Sequence, residues 1–214
     1  MDDCRLALEL GSDYVGVVVE VERSPRSVSV EQAEKIFSAF PNRAVLLTWG
    51  APLDWLTDTV GRLKPAAIQL TGEETPDYLG ELKTKTGCPV WKSVHLPPAG
   101  EEGEDLQNVM GKIGQYRAAG CELIILDTSN KKAGLYGGTG LQSDWSFAAA
   151  VVKNSPLPIF LAGGINPENV VQAVRQVQPK GVDLASGVEE KKRKKSREKL
   201  TWFFDRLKSV EAAS

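Results

Sequence analysis

The chain has 214 residues, 42% of them hydrophobic and 25% charged, which is long enough for one large domain or two small ones with a substantial core. A net charge of -2 argues against a general nucleic-acid binder. Cys4, Cys88 and Cys121 are an odd count without zinc-site spacing, and neither a signal peptide nor a membrane-crossing run is visible, so a cytoplasmic protein outside the membrane is expected.

The first element is a helix. "DDCRLALEL" spaces Cys4, Leu6, Ala7 and Leu10 helically, with Gly11 as a stop. "YVGVVVEV" from Tyr14 then opens a series of near-continuous apolar runs. It is followed by "RAVLLTW" from Arg43, "AAIQL" from Ala66, "PVWKSVHL" from Pro89, "ELIILD" from Glu122, "PIFLA" from Pro158 and "GVDLA" from Gly181. Runs apolar on both faces predict parallel strands covered by helices. In "SVEQAEKIFSAF", Ser29 and Gln32 have capping-box spacing, and Val30, Ala33, Ile36, Phe37 and Phe40 share a face. Thr75-Pro76, Asp144-Trp145 and Asn166-Pro167 mark further helix starts. Strand–helix repeated about seven times, with no linker, predicts an α/β fold of the TIM-type (β/α) barrel class, one domain over residues 1–214. A full barrel has eight strands, so a missing first strand is expected here. That would leave two sheet edges unpaired, to be filled by a partner or by sequence upstream of Met1.

Candidate site residues gather where such strands end. Gly163 and Gly164 lie between "PIFLA" and a capped helix, and Ser186 and Gly187 follow "GVDLA". Bare N–H groups on the last two strands of a barrel suit phosphate, while close packing is the other reason for glycine there. Asp127 ends "ELIILD"; a carboxylate at an apolar barrel mouth is desolvated, which suits a general acid, with a helix cap or ion pair as the alternative. The long loop after it carries Gly137, Gly138 and Gly140 and is expected to fold over a ligand. Arg26, in "SPRSVS", suits a bidentate grip on an anion, although from this residue alone a solvated surface arginine is the reading preferred. His95 and Lys92 share one strand; His95 ranks below Asp127, and Lys92 is expected to face a carboxylate or the barrel interior. The run "EEKKRKKSREK" from Glu189 reads as a solvated loop and first helical turn.

These segments together resemble the phosphoribosylanthranilate isomerase family of tryptophan biosynthesis. "ALELGSDYVGVVV", "SPRSVSVEQA", "AIQLTGEE", "ILDT", "YGGTGLQSDWS", "LAGGINPENV" and "GVDLASGVE" occur in family order, nearly end to end. The resemblance implies an Amadori rearrangement of N-(5'-phosphoribosyl)anthranilate, with no metal or organic cofactor and a phosphorylated small molecule as partner. It implies that Asp127 protonates the furanose ring oxygen and that Arg26 holds the anthranilate carboxylate. Backbone at Gly163, Gly164, Ser186 and Gly187 would hold the phosphate, with Gly137 and Gly138 in the covering loop. The family's general base is a cysteine in a Lys-Ile-Cys-Gly stretch on strand one, ahead of the position matching Met1. Cys4, in the first helix, cannot replace it, and Cys88 and Cys121 precede strands. Thr71 stands where the family has histidine, and Ala185 where it has the first of two serines. Two readings stay open: an isomerase whose sequence starts at an internal methionine, or a non-catalytic phosphate-ligand or interaction barrel. The oligomeric state is left open.

Overall fold

A computed structural model describes residues 1–96, 105–130, 135–136 and 144–211. The chain packs as two compact units, Met1–Ser93 with Gln115–Glu122, and Val94–Gly114 with Leu123–Ser214.

The first unit begins with helix α1 (Asp2–Leu10), which Gly11 ends at φ 123°, as its sequence predicts. No α1 residue is fully buried. Strands β1 (Val15–Val18), β2 (Ala44–Thr48), β3 (Ala67–Leu70) and β4 (Val90–Leu96) follow, alternating with helices α2 (Val30–Ala39), α3 (Leu53–Leu63) and α4 (Pro76–Thr86). The strands pair in sequence order and in parallel, with Val15 opposite Ala44, Val45 opposite Ala67 and Ile68 opposite Val90. All four residues of β3 are buried, which is why its sequence does not alternate. Helix α2 carries the expected capping box: Ser29 Oγ accepts from the Gln32 amide at 3.3 Å, and Gln32 Oε1 accepts from the Ser29 amide at 3.2 Å. Thr75 caps α4 ahead of Pro76.

Lys92 meets a carboxylate inside this unit. Its Nζ lies 3.2 Å from Glu74 Oε2, both side chains are at most 3% exposed, and it donates to the Gly72 carbonyl at 2.6 Å. Glu74 Oε1 accepts from the amides of Gly50 at 2.8 Å and Gly72 at 3.2 Å. Burial, the largest influence, pulls the Lys92 ammonium below its usual range, and Glu74 opposes that shift. The pair thereby ties the chain leaving β2 to the chain leaving β3.

In the second unit, β5 (Leu123–Asn130), β7 (Ile159–Leu161) and β8 (Gly181–Val182) are parallel, with Ile124 opposite Ile159 and Phe160 opposite Gly181. The short strand β6 (Leu135–Tyr136) pairs antiparallel with the end of β5. Helix α7 (Val170–Val177) contacts both α6 (Trp145–Asn154) and α8 (Arg197–Glu211), while α5 (Leu106–Ala118) is divided between the units. Ile124, Leu161, Val170, Ala173 and Phe203 form the core.

Among the described residues seven parallel strands therefore form, one for each apolar run in the sequence. They are the seven strands read from the sequence, and the expectation that a further, first strand is missing ahead of them finds no support in them. Two local expectations also change. The basic run from Glu189 opens as an antiparallel hairpin rather than a loop, β9 (Glu189–Lys191) and β10 (Lys194–Lys195), with Arg193 at its turn at φ 73°, while its last residues, from Arg197, form the expected first turn of α8. Regular α7 starts at Val170, because Asn166–Asn169 form a separate turn in which each asparagine side chain accepts from the other's amide, at 2.9 and 3.0 Å.

Candidate active site

Asp127 sits one residue past Leu126, where the parallel register of β5 with β7 stops. The sequence places it at the strand end, but β5 runs on to Asn130 because β6 supplies an antiparallel partner. The parallel ladder ends at the expected place; the strand does not. Asp127 is partly buried, and the Thr128 amide donates to its Oδ1 at 2.7 Å. Burial pushes its carboxyl from 3.8 up to about 7, repulsion from Asp183 adds to the rise, and the Thr128 amide opposes it. The acid is thus half protonated near neutral pH.

Asp183 is the residue that sequence reasoning missed. It directly follows β8, and its amide donates to the Leu161 carbonyl at 2.9 Å, extending the ladder with β7. The available signal was positional: "GVDLA" and "ELIILD" each place an aspartate at the end of a short apolar run.

The glycine turns join this carboxylate through Thr128. Gly163 and Gly164 have φ of +82° and +69°, a left-handed conformation that favours glycine. A side chain at Gly163 would place its Cβ 2.0 Å from Thr128 Oγ1 and 2.8 Å from the Thr128 amide nitrogen. Close packing therefore accounts for Gly163. Thr128 is completely buried, and among the described residues its hydroxyl has no hydrogen-bond partner. Ser186 and Gly187 start a 3-10 turn, Ser186–Val188, and a Cβ at Gly187 would lie 2.0 Å from the Ile165 carbonyl oxygen. The turn after β8 is thus seated on the turn after β7. Asn169 Nδ2 donates to the Gly164 carbonyl at 2.9 Å, which fixes that peptide from one side. Among the described residues, the amides of Gly163 and Gly164 have no acceptor.

Asp127, Gly163, Gly164, Ser186 and Gly187 therefore form one cluster through the contacts of Thr128 with Gly163 and of Gly187 with Ile165. Gly137 and Gly138 lie outside the described residues. Arg26 belongs to the first unit, in a loop closed by its own serines: Ser27 Oγ accepts from the Val21 amide at 2.8 Å and Ser24 Oγ from the Arg26 amide at 3.3 Å. Arg23, in the same loop, stacks over the Trp49 ring at 4.2 Å, a pairing that nothing in the sequence pattern indicates. Thr71 donates its hydroxyl to the Thr48 carbonyl at 2.6 Å and so serves the β2–β3 edge.

Cys4 is in α1, and Cys88 and Cys121 precede β4 and β5 as expected. Burial pushes the Cys88 thiol up to about 11. Among the described residues no group of three His, Cys, Asp or Glu side chains is placed to hold a metal ion, and no helix is long and apolar enough to cross a membrane.

The family model described as N-(5'phosphoribosyl)anthranilate (PRA) isomerase matches residues 1–206. The Methanopyrus kandleri protein named N-(5'-phosphoribosyl)anthranilate isomerase is 38% identical over 220 aligned positions, covering 98% of this chain and 94% of that one. The solved Pyrococcus furiosus N-(5'-phosphoribosyl)anthranilate isomerase superposes with a TM-score of 0.81 at 25% identity, covering 98% and 94%. A further solved isomerase, similar at a TM-score of 0.77 and 26% identity over 97% and 93%, holds reduced 1-(o-carboxyphenylamino)-1-deoxyribulose 5-phosphate. From its fold and from these matches over nearly its whole length, the chain belongs to the N-(5'-phosphoribosyl)anthranilate isomerase family.

Proposed function

We propose that the chain isomerises N-(5'-phosphoribosyl)anthranilate to the corresponding 1-deoxyribulose 5-phosphate, as one barrel domain working in the cytoplasm. One observation carries the reading: a carboxyl that keeps its proton up to about pH 7 adjoins Thr128, against which the Gly163 turn is packed, and among the described residues the amides of that turn have no acceptor. Asp127 then acts as general acid. Its proton goes to the furanose ring oxygen, the ring C1'–O bond breaks, and the anilino nitrogen's lone pair forms the Schiff base. Loss of the C2' proton from the iminium gives the neutral enol-amine; protonation at C1' and loss of the 2'-hydroxyl proton then give the ketose, and the net proton released restores the Asp127 carboxyl.

The two glycine turns bind the phosphate, with the amides around Gly163, Gly164, Ser186 and Gly187 as donors. Arg26 takes the anthranilate carboxylate; its self-closed loop limits the entropy lost when it does so. The structure solved with the reduced ketose phosphate supports a substrate of this class for a similar chain.

The test is turnover of N-(5'-phosphoribosyl)anthranilate, followed by substrate loss, in wild type and Asp127→Asn. Removing the acid should lower kcat/KM by about 10²–10⁴-fold, and activity near wild type would remove Asp127 from the role. A second reading, a binder without turnover, is favoured by the cysteines: Cys88 resists ionisation and Cys121 is buried, so neither supplies a ready thiolate base. It predicts that wild type binds the reduced ketose phosphate in calorimetry yet consumes no substrate.

A further inference from the structure

Lys195 has no role in the scheme above. It lies in the basic run that its sequence marks as solvated, yet the hairpin folds it back onto the turn after β8. Its Nζ donates to the Ala185 carbonyl at 2.5 Å. Two further bonds hold the hairpin there: the Ser196 amide donates to the Val188 carbonyl at 2.8 Å, and Lys199 Nζ to the Glu189 carbonyl at 2.8 Å. Lys191, Lys192, Arg193 and Lys194 are exposed, whereas Lys195 is partly buried.

The carbonyl that Lys195 holds belongs to the same peptide group as the Ser186 N–H. No peptide bond in the described chain is cis, so this C=O and N–H point in opposite directions. An ammonium on the carbonyl therefore fixes the amide to face away from Lys195. It also polarises the peptide, because a group that accepts a charge-assisted bond donates more strongly at its other end. Ala185 has no hydroxyl to offer, so donation at this position falls to the backbone.

We propose that Lys195 is a positioning residue of the phosphate turn: from behind the Ala185–Ser186 peptide it aims and strengthens the Ser186 N–H toward the ligand's phosphate. The inference rests on the anion reading of the two turns. It assigns a task to the hairpin, which is to carry one lysine to the rear of the turn. Glu189, whose Oε1 lies 3.6 Å from Lys195 Nζ, steadies the ammonium.

Calorimetry with reduced 1-(o-carboxyphenylamino)-1-deoxyribulose 5-phosphate and with its dephosphorylated form tests this. Wild type should prefer the phosphorylated ligand. Lys195→Met should weaken that ligand by roughly tenfold, leave the dephosphorylated one unchanged, and be restored most of the way by Lys195→Arg. Equal weakening of both ligands, or no weakening, would overturn the role and leave Lys195 as a hairpin fastener. A wild type that binds both ligands equally would overturn the phosphate reading itself, and this inference with it. Should Lys195→Met not fold, Lys195→Gln, which keeps a donor without the charge, is held to the same selective loss.

Discussion

Asp127→Asn separates the shape of the acid from its charge. Asparagine keeps an oxygen for the Thr128 amide, which reaches Asp127 Oδ1 at 2.7 Å, but it cannot ionise. In the folded chain burial, and then Asp183, raise the Asp127 carboxyl from 3.8 to about 7. Between those values the folded state holds a proton that the unfolded state has released. Wild-type stability must therefore fall as pH rises through this window. Each unit of displacement corresponds to about 1.4 kcal/mol, so the ceiling is about 4 kcal/mol, and the partial exposure of Asp127 lowers it to about 2–3 kcal/mol. Urea denaturation at pH 4 should find the two proteins equally stable. At pH 8 the variant should be the more stable by about 2–3 kcal/mol, equivalent to about 4–12 °C in Tm for a chain of this size. It should be inactive throughout. A stability difference that does not change with pH, or a variant weaker at pH 8, would refute the reasoning, because the carboxylate would then be well solvated or paired in the fold.

Three further outcomes follow from the geometry. Asp183→Asn should move the titration of Asp127 down, so the alkaline limb of kcat/KM shifts to lower pH; a limb that stays in place would mean that Asp183 does not act on the acid. Gly163→Ala should cost at least about 2–3 kcal/mol in denaturant unfolding, from left-handed strain and overlap with Thr128, and Thr128→Ala should restore only part, since the Thr128 amide nitrogen also lies 2.8 Å from the added Cβ. Lys92→Met should cost about 3–5 kcal/mol by leaving Glu74 buried and charged, and adding Glu74→Gln should recover much of it in a double-mutant cycle.

Much of this site is written locally. The capping box at Ser29 and Gln32 is readable because both partners lie within one helical turn, and the seven strands because burial on both faces removes alternation. Gly163 and Gly164 stand out for a similar reason: two adjacent left-handed residues need two adjacent glycines. What stays hidden is set by contacts between distant segments. The extension of β5 depends on β6, and the environment of Asp127 depends on Asp183, more than fifty residues away. The hairpin after Glu189 escapes a reading by charge because its order comes from Lys195 and Lys199 reaching backbone carbonyls, and the sequence displays only their solubility. Arg26 is a milder case. Its loop is legible, but the neighbouring stack of Arg23 on Trp49 joins residues from two different strand ends.

The glycines also constrain how the site can be taken apart. Gly163 and Gly187 each leave no room for a Cβ, one against Thr128 and the other against Ile165, so any side chain placed there perturbs packing before it perturbs an anion. A loss of phosphate binding in such variants would not separate the two causes. Changes made behind the peptides avoid this, which is why Lys195 is the more informative probe. On the proposed reading the same adjacency has a chemical consequence. A phosphate dianion in these turns sits near a carboxyl already raised by burial and by Asp183, and its charge can only raise that carboxyl further. Ligand binding would then tighten the acid's hold on its proton, so Asp127 is kept protonated until the ring oxygen, growing basic as the C1'–O bond stretches, becomes the stronger base. Burial, a second carboxylate and the substrate's own phosphate all act in one direction, which lets a single aspartate serve as an acid at neutral pH with no cationic residue assigned to it.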